Sequence, residues 1–184
     1  TILAVAGAND DCEAVFSLSA RLALYFGAYL EGFHVRPATA PEIPGIPRDI
    51  PPGYREGVRD LMLARGAETE QLQRACFWDI CKDLRLAVAG APRPGDDASA
   101  SWHVHAGDPR YCVAEHGRVF DLIVLPPLQS GGEPTERYVE NALIASGRPV
   151  LIGRPAAALT PPACAIVAWT GIPLFRARHR GRPP

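Results

Sequence analysis

Histidine and cysteine side chains are the groups in this 184-residue sequence whose spacing could support chemistry. His103 and His105 alternate in an apolar stretch, so a strand would place both on one face. Cys112 and His116 are one helical turn apart, so a helix would also place them on one face. The four side chains could together bind a zinc ion. Because solvated or singly hydrogen-bonded histidines explain the same pattern, we expect no metal site.

The cysteines do not form a disulfide or zinc-binding pattern. They are Cys12, Cys76, Cys81, Cys112 and Cys164. Their number is odd, they are scattered along the chain, and none lies in a C-x-x-C pair. We therefore predict reduced, mostly buried thiols in a cytoplasmic protein.

No arrangement in the sequence resembles a catalytic site. A nucleophile with a histidine and an acid is not recognisable, and neither is a pair of catalytic carboxylates. Asp96 and Asp97 are adjacent, but they lie in a loop-forming run without partners. We therefore expect no enzymatic activity.

Charge and hydropathy argue against two classes of partner. The formal net charge is −1 at pH 7, which predicts no general attraction to nucleic acid or acidic lipid. The C-terminal arginines at 176, 178, 180 and 182 could touch phosphates, but such a cluster on a terminal tail is usually solvated. No apolar stretch approaches the roughly 20 residues of a membrane span, and the N-terminus lacks the basic region of a signal peptide. We expect neither a membrane nor a nucleic-acid partner.

Residues 119–155 predict a strand, a helix and a second strand. Residues 120–125 and 149–152 are short apolar runs typical of buried strands. The helix between them is indicated by Val139, Leu143 and Ile144 at helical spacing, by Thr135 as a candidate N-cap and by Gly147 as the terminating residue. Such a crossover implies a parallel sheet that is covered on both faces.

The N-terminal part predicts a similar unit. Residues 2–6 form a small apolar strand, and the spacing of Asp10 and Glu13 is typical of a capping box that opens a helix. The helix ends near Gly27, and residues 30–35 form the second strand. Six prolines between positions 37 and 53 then exclude a continuous helix or an inner strand.

Helix and strand signals resume after the prolines. Apolar residues at helical spacing predict a long helix from about Tyr54 to Lys82, with a bend near Gly66. Residues 84–101 have loop composition, residues 102–106 predict a third strand, and residues 111–117 predict a helix. This order predicts a doubly wound α/β fold with a five-stranded, mainly parallel sheet and helices on both faces.

Open sheets of this kind bind ligands at the carboxyl ends of the strands, where the strand order reverses. The positions concerned follow the first, second and fourth predicted strands. Candidate ligand-binding residues there are Gly7, Asn9, Val35, Leu125, Pro126, Ser130 and Gly131.

Several segments together resemble the universal stress protein (UspA-like) family. The resemblance covers about two thirds of the chain and lies in the order and the sequences of its elements. The matching segments are ILAVAG, GAYLEGFHV, the GDP turn at 107–109, DLIVL and RPVLIGRP. The resemblance implies an adenine-nucleotide alpha hydrolase-like fold, a homodimer, and a stress-response or signalling role. It also implies that the third strand lies at the sheet edge and that His34 is structural.

The nucleotide-binding branch of that family has a glycine, two residues, a second glycine, nine residues, and then glycine with serine or threonine. Its glycines let backbone amides approach phosphates. Here Pro126 and Pro127 begin the loop, Gly131 and Gly132 are adjacent, and no matching glycine–hydroxyl pair follows. The acidic residue that this branch places after the first strand is Gly7. We therefore expect no cofactor, and the alternative is an adenine-nucleotide-binding protein that holds ATP with an altered phosphate loop.

We predict a domain boundary at about Pro155. Residues 1–155 predict one universal-stress-protein-like domain, and residues 156–184 predict a linker, an extra strand in CAIVAWTG and a basic tail. The extra strand looks like the start of a second domain of tandem family members, and an ordinary tail is the equal alternative. The sequence thus favours a non-catalytic stress-response or signalling module, with a protein partner that it does not identify.

Overall fold

Apolar runs and amphipathic stretches alternate along the chain and form strands and helices in turn. The computed structural model describes residues 1–6, 12–36, 52–92, 97–126 and 133–152. The strands in these residues are β1 (Ile2–Val5), β2 (Tyr29–Arg36), β3 (Ala87–Val88), β4 (Ser99–Ala106), β5 (Leu122–Leu125) and β6 (Val150–Ile152). The helices are α1 (Cys12–Phe26), α2 (Pro52–Asp83), α3 (Pro109–Gly117) and α4 (Glu133–Ala145).

The described strands form one parallel sheet in the order β3-β4-β2-β1-β5-β6. β1 is central, and Ile2 lies opposite Leu30 of β2 and Leu122 of β5. The chain leaves β1 toward β2 and later returns to its other side with β5, so the strand order reverses at β1. The doubly wound α/β fold predicted from the sequence is confirmed.

β3, which the sequence analysis does not predict, lies where a loop is expected. Ala87 and Val88 of β3 pair with Ser99 and Ala100, so β4 begins before the predicted start at Trp102. The small residues at these positions carry little strand periodicity, and pairing with a neighbouring strand stabilises them instead. The extra strand predicted at 164–171, with the whole of residues 156–184, lies outside the described residues.

α2 has nearly the predicted bounds and is continuous over its 32 residues, including Gly66. α4 begins at Glu133, so Thr135 lies inside the helix and is not its N-cap. Gly27 and Gly147 follow helices with φ of +58° and +67°, which is the left-handed conformation predicted for them. Although α2 is long, none of the described helices is apolar enough to cross a membrane.

Two apolar layers cover the sheet, and the alternation of β1 separates them. Ile2 and Ala4 face a layer formed with α1 and α2, whereas Leu3 and Val5 face the layer formed with α3 and α4. All four residues are buried, as expected for a central parallel strand.

Aromatic rings join α1, α2 and β4 at the centre of the first layer. The Phe16 ring centroid lies 5.2 Å from that of Phe77 and 5.8 Å from that of Trp102, both edge to face. Gly32 lies beneath these rings, and a Cβ there would be 2.6 Å from Trp102 Cε3 and 2.9 Å from Phe77 Cδ2. The glycine therefore supplies the space that the rings occupy.

Replacing Gly32 with alanine should destabilise the protein by about 1–3 kcal/mol, because the added methyl group overpacks this junction. Urea unfolding followed by circular dichroism would measure the change. Gly66→Ala is the matched control, since nothing lies within 4 Å of its Cβ position in α2 and alanine should stabilise a helix interior by up to about 1 kcal/mol. Equal effects of the two substitutions would contradict the close packing at Gly32.

Candidate functional site

The carboxyl ends of β1, β2 and β5 lie side by side where the strand order reverses, and this edge is the candidate ligand site. Ala6 follows β1, and its N–H donates to the Phe33 carbonyl at 2.8 Å. On the far side of β2, the Gly107 N–H donates to the Arg36 carbonyl at 2.9 Å. These bonds fix the backbone at the rim of the site.

The predicted site residues that the structure describes are apolar and largely buried. Val35 is half-buried against the α3 and α4 layer, and Leu125 is 0% exposed within that layer. Pro126 follows directly and is also buried. Gly7, Asn9, Ser130 and Gly131 lie outside the described residues. Leu125 can therefore offer a ligand only its backbone, while Val35 offers part of an apolar side chain.

The backbone after β5 lacks the first donor that a phosphate loop would use. Proline has no N–H, and Pro126 is buried against the end of the strand. At the neighbouring strand ends, Val5 is buried and Ala6 is half-buried, and neither carries a polar side-chain atom. The side chains described at the ends of β1 and β5 are therefore apolar.

His34 is held inside the fold rather than presented to a ligand. Its Nδ1 lies 2.7 Å from Oε1 of Gln73 on α2, and both side chains are buried. Because an amide oxygen only accepts, Nδ1 carries the hydrogen and donates. Nε2 has no hydrogen-bond partner among the residues that the structure describes. The geometry fits the structural role that the sequence resemblance implies for His34.

A second polar group on β2 was not found by the sequence analysis. Glu31 is buried, and its Oε1 lies 2.5 Å from Nε2 of His116 on α3. The Tyr29 hydroxyl donates to the other carboxylate oxygen at 3.3 Å and lies 2.6 Å from the Ser101 hydroxyl. Burial raises the pKa of Tyr29, and the neighbouring Glu31 carboxylate adds to the increase. The only sequence signal was a lone charge within an apolar strand.

The histidines form a stack of rings rather than a metal site. The centroid of the His116 ring lies 4.4 Å from that of Phe33, with an interplanar angle of 6°. It lies 5.0 Å from the centroid of His103, with an interplanar angle of 16°. The nitrogen lone pairs of a histidine lie in the plane of its ring. In near-parallel stacked rings they therefore do not converge on one metal ion. Burial also raises the pKa of Cys112, which disfavours the thiolate that a metal would need. Within the described ranges, no three potential ligands could hold a metal ion.

This arrangement defines a doubly wound α/β protein with its candidate site at the switch point between β1 and β5. UspA from Lactobacillus plantarum is similar at 15% identity, over 83% of this chain and 96% of that one, with a TM-score of 0.58. A universal stress protein from Archaeoglobus fulgidus is similar at 13% identity, over 83% and 97%, with a TM-score of 0.51. The chain therefore has the universal stress protein fold.

The overall sequence identity to these structures is low. No protein-family model matches the chain, and no curated protein does. The Archaeoglobus fulgidus universal stress protein solved in complex with dAMP is similar at 15% identity, over 83% of this chain and 96% of that one. Its TM-score is 0.46.

Replacing Gln73 with leucine should destabilise the protein by about 1–3 kcal/mol, because it leaves the buried Nδ1–H of His34 without its acceptor. Chemical denaturation would measure the loss. Gln71→Leu provides the matched control, since Gln71 is exposed on the same helix and its substitution should change stability by less than about 0.5 kcal/mol. A neutral Gln73→Leu variant would show that His34 does not depend on this bond.

Proposed function

We propose that this chain is a non-catalytic stress-response or signalling module with the universal stress protein fold. We further propose that it does not hold ATP in the manner of the nucleotide-binding branch of that family. The fold supports the general class, because the chain is similar in structure to solved universal stress proteins over most of both chains.

The buried Pro126 is the observation that carries the proposal about ATP. It stands directly after β5, where a phosphate loop would begin, and it cannot donate a backbone hydrogen bond. Phosphate groups are bound largely through such donors and the positive ends of helices. A proline at this position removes one such donor from the start of the loop.

The hydrogen bonds of the polar groups support a non-catalytic role. The Ser101 hydroxyl contacts Tyr29 rather than a base, and His116 contacts Glu31 rather than a nucleophile. An activated nucleophile requires its base within hydrogen-bond reach. These side chains hold β2, β4 and α3 together, and their arrangement gives no support to a hydrolytic role.

An ATP–magnesium titration should produce no thermal shift up to millimolar nucleotide. A ligand that binds only the native state raises its apparent stability by about 2.7 kcal/mol at a hundredfold excess over Kd, so even modest affinity would be visible. Adenosine and pyrophosphate, titrated separately, show which half of a nucleotide is recognised. A clear shift with micromolar ATP would contradict the proposal and favour an altered phosphate loop.

We also propose that the protein acts as a homodimer in the cytoplasm, through the outer edge of β6. Among the described strands β6 pairs only with β5, and Ile152 on it is 40% exposed. A strand edge of this kind can pair across a two-fold axis. The odd, scattered cysteines support a reducing compartment.

Light scattering after gel filtration should give twice the mass of one chain, and Ile152→Glu should shift the protein toward the monomer. The charge would be buried at the interface without a partner. Leu63→Glu is the control, since Leu63 is similarly exposed, at 42%, but lies on α2. A monomeric parent protein, or equal dissociation by both variants, would rule out the β6 interface.

A further inference from the structure

Most of α2 lies outside the packed core of the protein. Gln73 is the first fully buried residue along this helix, and the described side chains from Gly53 to Leu72 are exposed or only half-buried. At ~1.5 Å per residue, that part of the helix is about 30 Å long. A helix in a protein owes most of its stability to the packing of one face. The exposed part of α2 would therefore gain stability from a second packing surface.

One face of this exposed part carries four side chains at coiled-coil spacing. They are Leu61, Arg65, Glu68 and Leu72, which are successively four, three and four positions apart. Such spacing places all four side chains on one side of a helix. Leu61 is 69% exposed and Leu72 is 66% exposed, so the described fold covers neither leucine. We call these four residues the α2 stripe.

The two charges in the middle of the α2 stripe have opposite sign. Arg65 and Glu68 are both exposed, and the ion pairs found within the described ranges involve other side chains. Along the chain the stripe reads apolar, basic, acidic, apolar. In the reverse direction it reads apolar, acidic, basic, apolar. The stripe is therefore complementary to a second copy of itself that runs in the opposite direction.

We propose that the α2 stripe is a contact between two copies of this chain, at which their α2 helices pack antiparallel. A two-fold axis through the middle of the stripe places Leu61 opposite Leu72 of the second copy and Arg65 opposite Glu68 of the second copy. Because the contact is symmetric, each of these pairs forms twice. The leucines exclude water at both ends of the stripe, and the opposite charges meet between them.

The same alignment matches the residues on either side of the stripe. The alternation of four and three positions continues to Tyr54 and Val58 before the stripe and to Ala75 and Asp79 after it. In the antiparallel pair, Val58 lies opposite Ala75, and the Tyr54 hydroxyl can donate to the Asp79 carboxylate. Tyr54 is 61% exposed, and Ala75 and Asp79 are exposed as well. The complementarity thus extends over most of the length of α2.

The charges also select the direction of the second helix. A parallel pair in register would place Arg65 opposite Arg65 and Glu68 opposite Glu68. Like charges that face each other between helices are unfavourable, and such charges set the orientation of helix pairs. Only the antiparallel arrangement pairs both charges of each copy.

The α2 stripe is separate from the edge of β6 and does not depend on it. β6 lies at one margin of the described sheet, whereas α2 packs against α1 and β2. A chain that uses both contacts assembles beyond the dimer. Polar residues at the seam of a coiled coil reduce its stability, so the α2 contact is weak and forms as the protein concentration rises.

Sedimentation velocity of the full chain, from micromolar to near-millimolar protein, tests the contact. We expect the mean mass to rise with concentration. Arg65→Glu or Glu68→Arg should each weaken this association by about tenfold or more, because each sets like charges opposite each other twice. Arg74→Glu is the matched control, since it makes the same change in charge at an exposed position, and residues two apart, such as Leu72 and Arg74, do not share a helix face.

A mixture of the two stripe variants gives the sharpest result. Arg65→Glu chains carry two acidic side chains in the stripe, and Glu68→Arg chains carry two basic ones. Each variant alone is repelled by its own copies, whereas the mixture restores both ion pairs and should associate. The double variant with Arg65→Glu and Glu68→Arg in one chain should also associate. No rise in mass with concentration, equal weakening by Arg74→Glu, or a mixture that does not associate would overturn the proposal.

Ile152→Glu separates this contact from the proposed β6 interface. The substitution leaves the α2 stripe unchanged, so the variant should still gain mass with concentration and should still lose that gain when Arg65→Glu is added. A complete loss of association in Ile152→Glu alone would assign the rise in mass to β6 and overturn the α2 contact. Because all the substituted side chains on α2 are exposed, circular dichroism should show the same helix content in each variant.

Discussion

The pairing of β1 between β2 and β5 is the constraint on which the rest of the structure depends. β1 has four residues, all buried, and its two faces contact different apolar layers. A parallel strand that is covered on both faces is typically a near-continuous apolar run. Because the strand order reverses at β1, its carboxyl end also becomes the place where a ligand could enter the sheet.

That same burial limits what the candidate site can bind. Leu125 belongs to the α3 and α4 layer at the end of β5, and the buried Pro126 follows it directly, so the first residue after the strand is also apolar. Proline fixes φ at this position, and it removes an amide donor by the same feature of its ring. The restricted backbone at this position and the missing backbone N–H therefore have one cause.

The sequence predicts the fold well because its strongest signals are local. Two strands are predicted by the apolar runs DLIVL and ILAVAG, and the ends of α1 and α4 are predicted by the glycines that follow them. In each case the signal lies in neighbouring residues of the sequence. β3 is not predicted, since Ala87 and Val88 form a strand only through their pairing with β4. The Glu31–His116 contact is not predicted either, because it joins elements that only the tertiary fold brings together.

The two sides of the sheet use their polar groups differently. On the α3 and α4 side, the buried Glu31 carboxylate must offset its lost hydration, and His116 and Tyr29 do so from neighbouring elements. Removing one partner would leave a buried charge unsatisfied, so that network is confined to holding α3 in place. On the α1 and α2 side, the buried His34 and Gln73 side chains share one 2.7 Å hydrogen bond that joins β2 to α2. One side of the sheet thus surrounds a carboxylate with two partners, whereas the other side uses a single pair.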